Sequence, residues 1–201
     1  MSPTHVISCI PLPKLHELLN DTQSVPHLKF NPATTVTVVN LVFPCAPDDL
    51  HPPGFGYLLP RPLNGYEVSD TDIIGVVFDS CSLSEQDTRG SVPITKLTVM
   101  CGGPYESISS SFSVETLLAR LFQQLGRPRV EPIHVRVHRQ VDCIPLPLVG
   151  HLDRMTELKR VLSEEPWYGR LHVSGAGVGG AGIADCVQAA RTVALNLSNR
   201  T

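Results

Sequence analysis

Between Tyr168 and Cys186 the chain reads Tyr-Gly-Arg-Leu-His-Val-Ser-Gly-Ala-Gly-Val-Gly-Gly-Ala-Gly-Ile-Ala-Asp-Cys. Gly175, Gly177 and Gly180 have the spacing G-x-G-x-x-G, in which missing Cβ atoms let backbone N–H groups approach a phosphate at a helix start. The flanks suit that geometry: a short strand is expected over 171–174, and the apolar positions Ile183, Val187, Ala190, Ala194 and Leu197 recur at helical spacing. The wider context does not. A dinucleotide fingerprint needs a second parallel strand with an acidic residue about 20 residues beyond the glycines, and the sequence ends at Thr201, one helix later. The stretch therefore reads as a lone strand, turn and helix that docks on a sheet built elsewhere and offers N–H groups and a helix dipole to a ligand held mainly by other segments. The alternative is a turn made glycine-rich by close packing of strand and helix.

Other chemistry is sparse. The six cysteines (9, 45, 81, 101, 143 and 186) form no C-x-x-C pair or compact framework and read as small buried hydrophobes in a reducing compartment. His134 and His138 are four apart within Ile-His-Val-Arg-Val-His, which alternates like a strand, whereas four-apart ligands need a helix; no metal is expected. G-x-S-x-G, H-E-x-x-H and G-K-[ST] are absent. A net charge of −3 with 16 scattered Lys and Arg speaks against nucleic acid. No apolar run reaches the ~18 to 20 residues that span a bilayer, and the first residues show neither a signal peptide nor a transit pattern.

The elements that must position these residues follow from periodicity. A strand over 4–10 leads through Pro11-Leu-Pro13 into a helix over 14–20. β-branched or apolar runs at 35–43, 72–79 and 96–103 read as strands joined by loops without helices, hence an antiparallel sheet in the middle third. Gly54-Phe-Gly-Tyr-Leu-Leu-Pro60 reads either as a bulged or edge strand or as the wall of an apolar pocket. Ser113 is a candidate N-cap, Val114, Leu117, Leu118, Leu121 and Leu125 form one helical stripe, and Gly126 stops it. A strand over 133–138, a proline-rich loop at 143–150 and a helix with Met155, Leu158 and Leu162 inward complete the order. The unpaired first strand and the lone terminal unit suggest a portion of something larger, with poor stability on its own.

Several stretches together resemble one family. Thr4-His-Val-Ile-Ser, Gly54-Phe-Gly-Tyr-Leu-Leu-Pro60, Ile74-Gly-Val-Val-Phe-Asp-Ser80, Leu97-Thr-Val-Met-Cys-Gly-Gly103, Cys143-Ile-Pro with Val149-Gly-His151, and Gly175-Ala with Gly180-Ala-Gly-Ile-Ala-Asp-Cys186 occur in that order. They resemble the carboxy-terminal portion of the oxygen-dependent protoporphyrinogen oxidase family of the FAD-dependent amine oxidase superfamily, in a fungal-like form. Leu146-Pro147 and Leu152 depart from its usual residues.

The resemblance implies a mixed α/β (α+β) fold, the carboxy-terminal part of a Rossmann-like FAD-binding domain plus the antiparallel-sheet part of a substrate domain. Segments 1–30 and 140–201 would belong to the discontinuous FAD-binding domain and 31–139 to the substrate-binding domain. It implies oxidation of protoporphyrinogen IX in haem biosynthesis, with FAD as cofactor and oxygen regenerating it. Ala181, Gly182 and Ile183 would contact the flavin, and Phe55, Gly56, Leu58 and Met100 would line the substrate site. No residue is assigned a catalytic acid–base role. Association with the mitochondrial inner membrane would run through an amino-terminal half that this sequence lacks, and a homodimer is compatible with the family. Two other expectations stand beside this one: a noncatalytic interaction module, and another amine-oxidase-type flavoprotein.

Overall fold

The computed structural model describes residues 3–19, 25–60, 73–86, 92–102 and 112–198. Asn20, Asp72 and Gly103, at the limits of expected elements, lie outside them. The chain divides into two units, one of residues 35–141 and the other of 1–34 with 142–201.

The 35–141 unit is built on a five-stranded sheet. Its strands are β2 (Ala33–Phe43), β3 (Gly56–Leu58), β4 (Ile73–Phe78), β5 (Thr95–Gly102) and β6 (His134–Pro145), in the order β3-β4-β5-β2-β6. The β3–β4, β4–β5 and β2–β5 pairings are antiparallel, as expected, but the connections are not free of helix. Single turns form at Pro47–Leu50 between β2 and β3 and at Asp79–Ser82 between β4 and β5, too short to carry the chain across the sheet for a parallel return. Period-two alternation sends one face of each strand inward: Leu41 sits opposite Leu97, Val39 opposite Val99, and Val76 opposite Val99 on the far side. Onto this face packs the helix Val114–Leu125, which seats Leu117, Leu118, Leu121 and Phe122 in the core. Phe122 meets Phe43 edge to face, ring centroids 5.7 Å apart. Gly126, at φ +63°, ends the helix in the left-handed conformation. Ser113 occupies the N-cap position, but its hydroxyl makes no capping bond. Glu115 in the first turn instead pairs with Arg129, which holds its carboxyl below the usual carboxylate range.

The second unit has its own core. Here β1 (Val6–Ser8) finds a parallel partner in β7 (Leu171–Val173), with Ile7 opposite His172. Helices Leu12–Leu18 and His151–Ser163 contribute Leu12, Leu15, Met155, Leu158 and Leu162, joined by Val25, Leu28, Leu171 and Val178. The expected inward positions of the second helix are thus filled.

Further expectations are corrected. The strand foreseen over 133–138 continues to Pro145 and takes in the start of the proline-rich segment; Pro145 ends it, where a missing N–H costs least. The terminal helix Ile183–Ser198 forms where its periodicity places it, yet carries no buried residue. Periodicity marks a face as apolar without supplying a surface to cover it. Of the cysteines only Cys101 is buried, while Cys9 and Cys143 are exposed, because the first lies past the end of its strand and the second on the exposed β6.

Candidate functional site

The glycine turn comes directly off β7. Ser174 N–H donates to Ser8 O at 2.9 Å, which continues the strand pairing into the turn. Gly175 has φ +117°, a conformation that glycine adopts without a Cβ penalty. At Gly177 a Cβ would lie 3.2 Å from Leu12 Cγ, so this glycine lets the turn settle against the first helix. At Gly180 and Gly182 a Cβ would come within 2.6 and 2.9 Å of Asp185 Oδ2. The Asp185 carboxylate is therefore folded over the turn, where the helix dipole favours it. A phosphate placed there would meet a like charge. Ala181 and Gly182 are exposed, and Ile183, 86% exposed, opens the terminal helix. Small residues beside an unburied branched side chain suit the uncharged face of a flat ring.

The other candidate residues lie on the sheet of the 35–141 unit. Register aligns Leu58, Gly75, Met100 and Val38 across four strands on the face away from the Val114–Leu125 helix. Gly75 makes room in that row: a Cβ there would sit 2.7 Å from Leu58 Cδ2. Leu58 is 76% exposed and Met100 half-buried. Gly56 belongs to the neighbouring row with Val77, Thr98 and Asn40. Phe55 stands at the mouth of β3, 74% exposed, its carbonyl accepting from Phe78 N–H at 2.9 Å. The structure thus gathers Gly56, Leu58 and Met100 on one sheet face and leaves Phe55 at its margin. The edge-strand alternative for 54–60 is also observed, since β3 ends the sheet.

Sequence reasoning missed a polar chain on this face. Asn40 Nδ2 donates to Thr98 Oγ1 at 2.8 Å, and Thr98 Oγ1 donates to Asp79 Oδ2 at 2.6 Å. The signal available was Asn40, a lone amide in an otherwise apolar or β-branched run. It also missed the bonds of His151, whose Nδ1 lies 2.9 Å from Asn31 Nδ2 and whose Nε2 lies 3.2 Å from Val178 O. His138 Nε2 accepts from Arg136 Nε at 2.8 Å, and among the described residues no three His, Cys, Asp or Glu side chains converge as metal ligands.

No family model matches the chain. Among curated proteins, human protoporphyrinogen oxidase is 32% identical over 205 residues, which cover 96% of this chain and 40% of the relative. The enzyme of the same name from Schizosaccharomyces pombe is 30% identical over 192 residues, 90% of this chain and 36% of the relative. The chain is similar to protoporphyrinogen oxidase over nearly its whole length. It spans about 40% of the length of the first curated relatives it matches. A crystal structure of a candidate protoporphyrinogen oxidase from Exiguobacterium sp. 255-15 superposes on it with a TM-score of 0.73 at 26% identity, covering 98% of this chain and 41% of that one. Reduced UDP-galactopyranose mutase matches with a TM-score of 0.62 at 13% identity over 89% of this chain and 37% of its own, which shows a shared fold. The mixed α/β architecture, with an antiparallel sheet and a parallel strand pair, is that of these neighbours.

Proposed function

We propose that the chain contributes the substrate sheet and one flavin-contacting turn to an oxidase that converts protoporphyrinogen IX to protoporphyrin IX. The observation that carries this reading is the similarity to enzymes of that name over nearly the whole chain. The geometry supports it. In this reading the row of Leu58, Gly75, Met100 and Val38, with Gly56 beside it and Phe55 at its edge, forms an apolar wall against one face of the macrocycle. A flat substrate is favoured because two glycines leave the wall without protruding side chains, and burial of its faces supplies the binding energy.

In the other unit, Ala181, Gly182 and Ile183 hold the uncharged ring portion of FAD. The Asp185 carboxylate over Gly180 and Gly182 disfavours a phosphate there, so in this reading the phosphates are held by segments elsewhere in the whole protein. When bound, FAD supplies the hydride-accepting chemistry, and oxygen reoxidises it with release of hydrogen peroxide. The residues of this chain position both partners and shield them from water; no general base among them is assigned. On this reading residues 1–30 and 140–201 belong to the FAD-binding domain, 31–139 to the substrate-binding domain, and the whole protein works at the mitochondrial inner membrane in haem biosynthesis.

The test is a chimera in which this chain replaces the matching 40% of the human relative. Expected are a yellow protein with flavin absorbance and oxygen-dependent formation of fluorescent protoporphyrin. A folded chimera without flavin, or one that holds flavin and leaves protoporphyrinogen unoxidised, overturns the proposal.

A further inference from the structure

His151 opens its helix as a buried residue with both ring nitrogens engaged. Nε2 faces the carbonyl of Val178 at 3.2 Å, and a carbonyl only accepts, so Nε2 carries the proton. The opposite end of the ring leads to the same assignment independently. Asn31 Oδ1 faces Leu148 N–H at 3.4 Å and Arg154 Nη2 at 3.3 Å, both obligate donors. The amide NH2 of Asn31 is therefore turned toward the imidazole, 2.9 Å from Nδ1, which takes it on a lone pair. Turning the amide over would set a donor against the two donors, Leu148 N–H and Arg154 Nη2, and an acceptor against the bare Nδ1. Arg154 is itself tied down: Nη1 donates to Val149 O at 2.8 Å, Nη2 to Leu148 O at 3.0 Å, and the guanidinium stacks 3.8 Å from the centre of the Phe30 ring. The series Phe30, Arg154, Asn31, His151 thus ends in one directed hydrogen bond, and its target is the middle of the glycine turn.

Such a turn needs an anchor. Residues 175–182 include five glycines, whose backbone loses more conformational freedom on ordering than that of other residues. At one end β7 holds the turn through Ser174, and at the other Cys186 N–H donates to Gly182 O at 3.0 Å. Between them the Val178 side chain is buried in the core and its carbonyl accepts from His151.

We propose that His151 is a positioning residue for the cofactor-contacting turn. Its Nε2–H fixes the Val178 carbonyl, and thereby the path that leads to Ala181, Gly182 and Ile183, while Asn31 and Arg154 fix the tautomer that makes His151 a donor at that atom. The positioning role rests on the proposed flavin contact of those three residues; the hydrogen bond itself does not.

Two substitutions separate the two ends of the ring. His151→Gln places an amide NH2 near the position of Nε2 and gives up the acceptor for Asn31. His151→Asn places its amide near Nδ1 and gives up the donor to Val178. In hydrogen–deuterium exchange of the full chain, H151N is expected to speed exchange over 175–186 by about tenfold with little change over 154–162, while H151Q stays near the parent. Equal effects of both variants, spread into the 154–162 helix, would mean a helix-start role only and would overturn the proposal. Nitrogen-15 spectra of the unsubstituted chain should show His151 protonated at Nε2 and bare at Nδ1; the opposite tautomer would overturn it even if neither variant folds. In the chimera, H151N is expected to weaken FAD binding by about tenfold and H151Q less. Unchanged FAD affinity in H151N refutes the positioning role, whereas a chimera that holds no FAD with His151 intact strikes the flavin reading and leaves the exchange result standing.

Discussion

At the scale of single residues, the glycines of the 54–60 stretch show how a sequence signal becomes geometry. Two glycines around an aromatic imply a close backbone approach, and Gly56 makes one: a Cβ there would sit 2.1 Å from Val76 O, at φ +145°. Neither the oxygen nor its strand can retreat without breaking the ladder. Gly56→Ala is expected to detach β3 and lower stability by about 2 kcal/mol or more, read as a lower urea midpoint. Its neighbour Tyr57 points the other way, packs against the core and donates to Gln124 Oε1 at 2.7 Å. Burial pushes its hydroxyl up to about 12. Because the unfolded chain ionises first, near 10, the stability linked to Tyr57 is intact below that pH and is lost as pH rises toward 12. Tyr57→Phe should remove that part of the alkaline loss, measured by urea unfolding between pH 9 and pH 11. These residues announce themselves locally. The Asn40–Thr98–Asp79 chain and the Asn31–His151–Val178 contacts do not, because each joins positions far apart in sequence and exists only once strands or helices are in register.

At the scale of elements, periodicity located the helices Val114–Leu125 and His151–Ser163 and most strands, since alternation and the 3.6-residue stripe report directly on which side chains face a core. It passed over the single turns Pro47–Leu50 and Asp79–Ser82, too short to show a period. It did not report whether a core is there. The stripe of Val114–Leu125 meets a sheet, and that of Ile183–Ser198 has no buried residue. Two substitutions display the difference. Leu121→Ala, at a fully buried position, should cost about 2–5 kcal/mol of unfolding free energy. Val187→Glu, at a 63% exposed position of the terminal helix's stripe, should move it by no more than about 0.5 kcal/mol in this chain. In the chimera the same glutamate should be more damaging if the rest of the enzyme covers that helix; equal tolerance in both settings would show the stripe remains uncovered.

At the scale of the whole molecule, two separate hydrophobic cores organise the chain, one around Leu41, Leu97 and Leu121 and the other around Leu15, Met155 and Leu158. Leu121→Ala should accelerate hydrogen exchange chiefly in the strands of the 35–141 unit, and Leu158→Ala chiefly in β1, β7 and the helices packed on them. A uniform rise throughout the chain in either variant would contradict two cores. What the sequence determined by itself was the inventory: element types, the antiparallel character of the middle third, the glycine turn, and the ordered motifs that resemble protoporphyrinogen oxidase. Those properties depend on neighbours a few residues apart. Only the tertiary structure decided that the first strand pairs with the seventh, that Leu58 and Met100 share one row across Gly75, and that a histidine grips the turn from another helix. Each of these is a meeting of distant segments, selected by burial and by the need to satisfy polar groups, for which no local pattern carries the information.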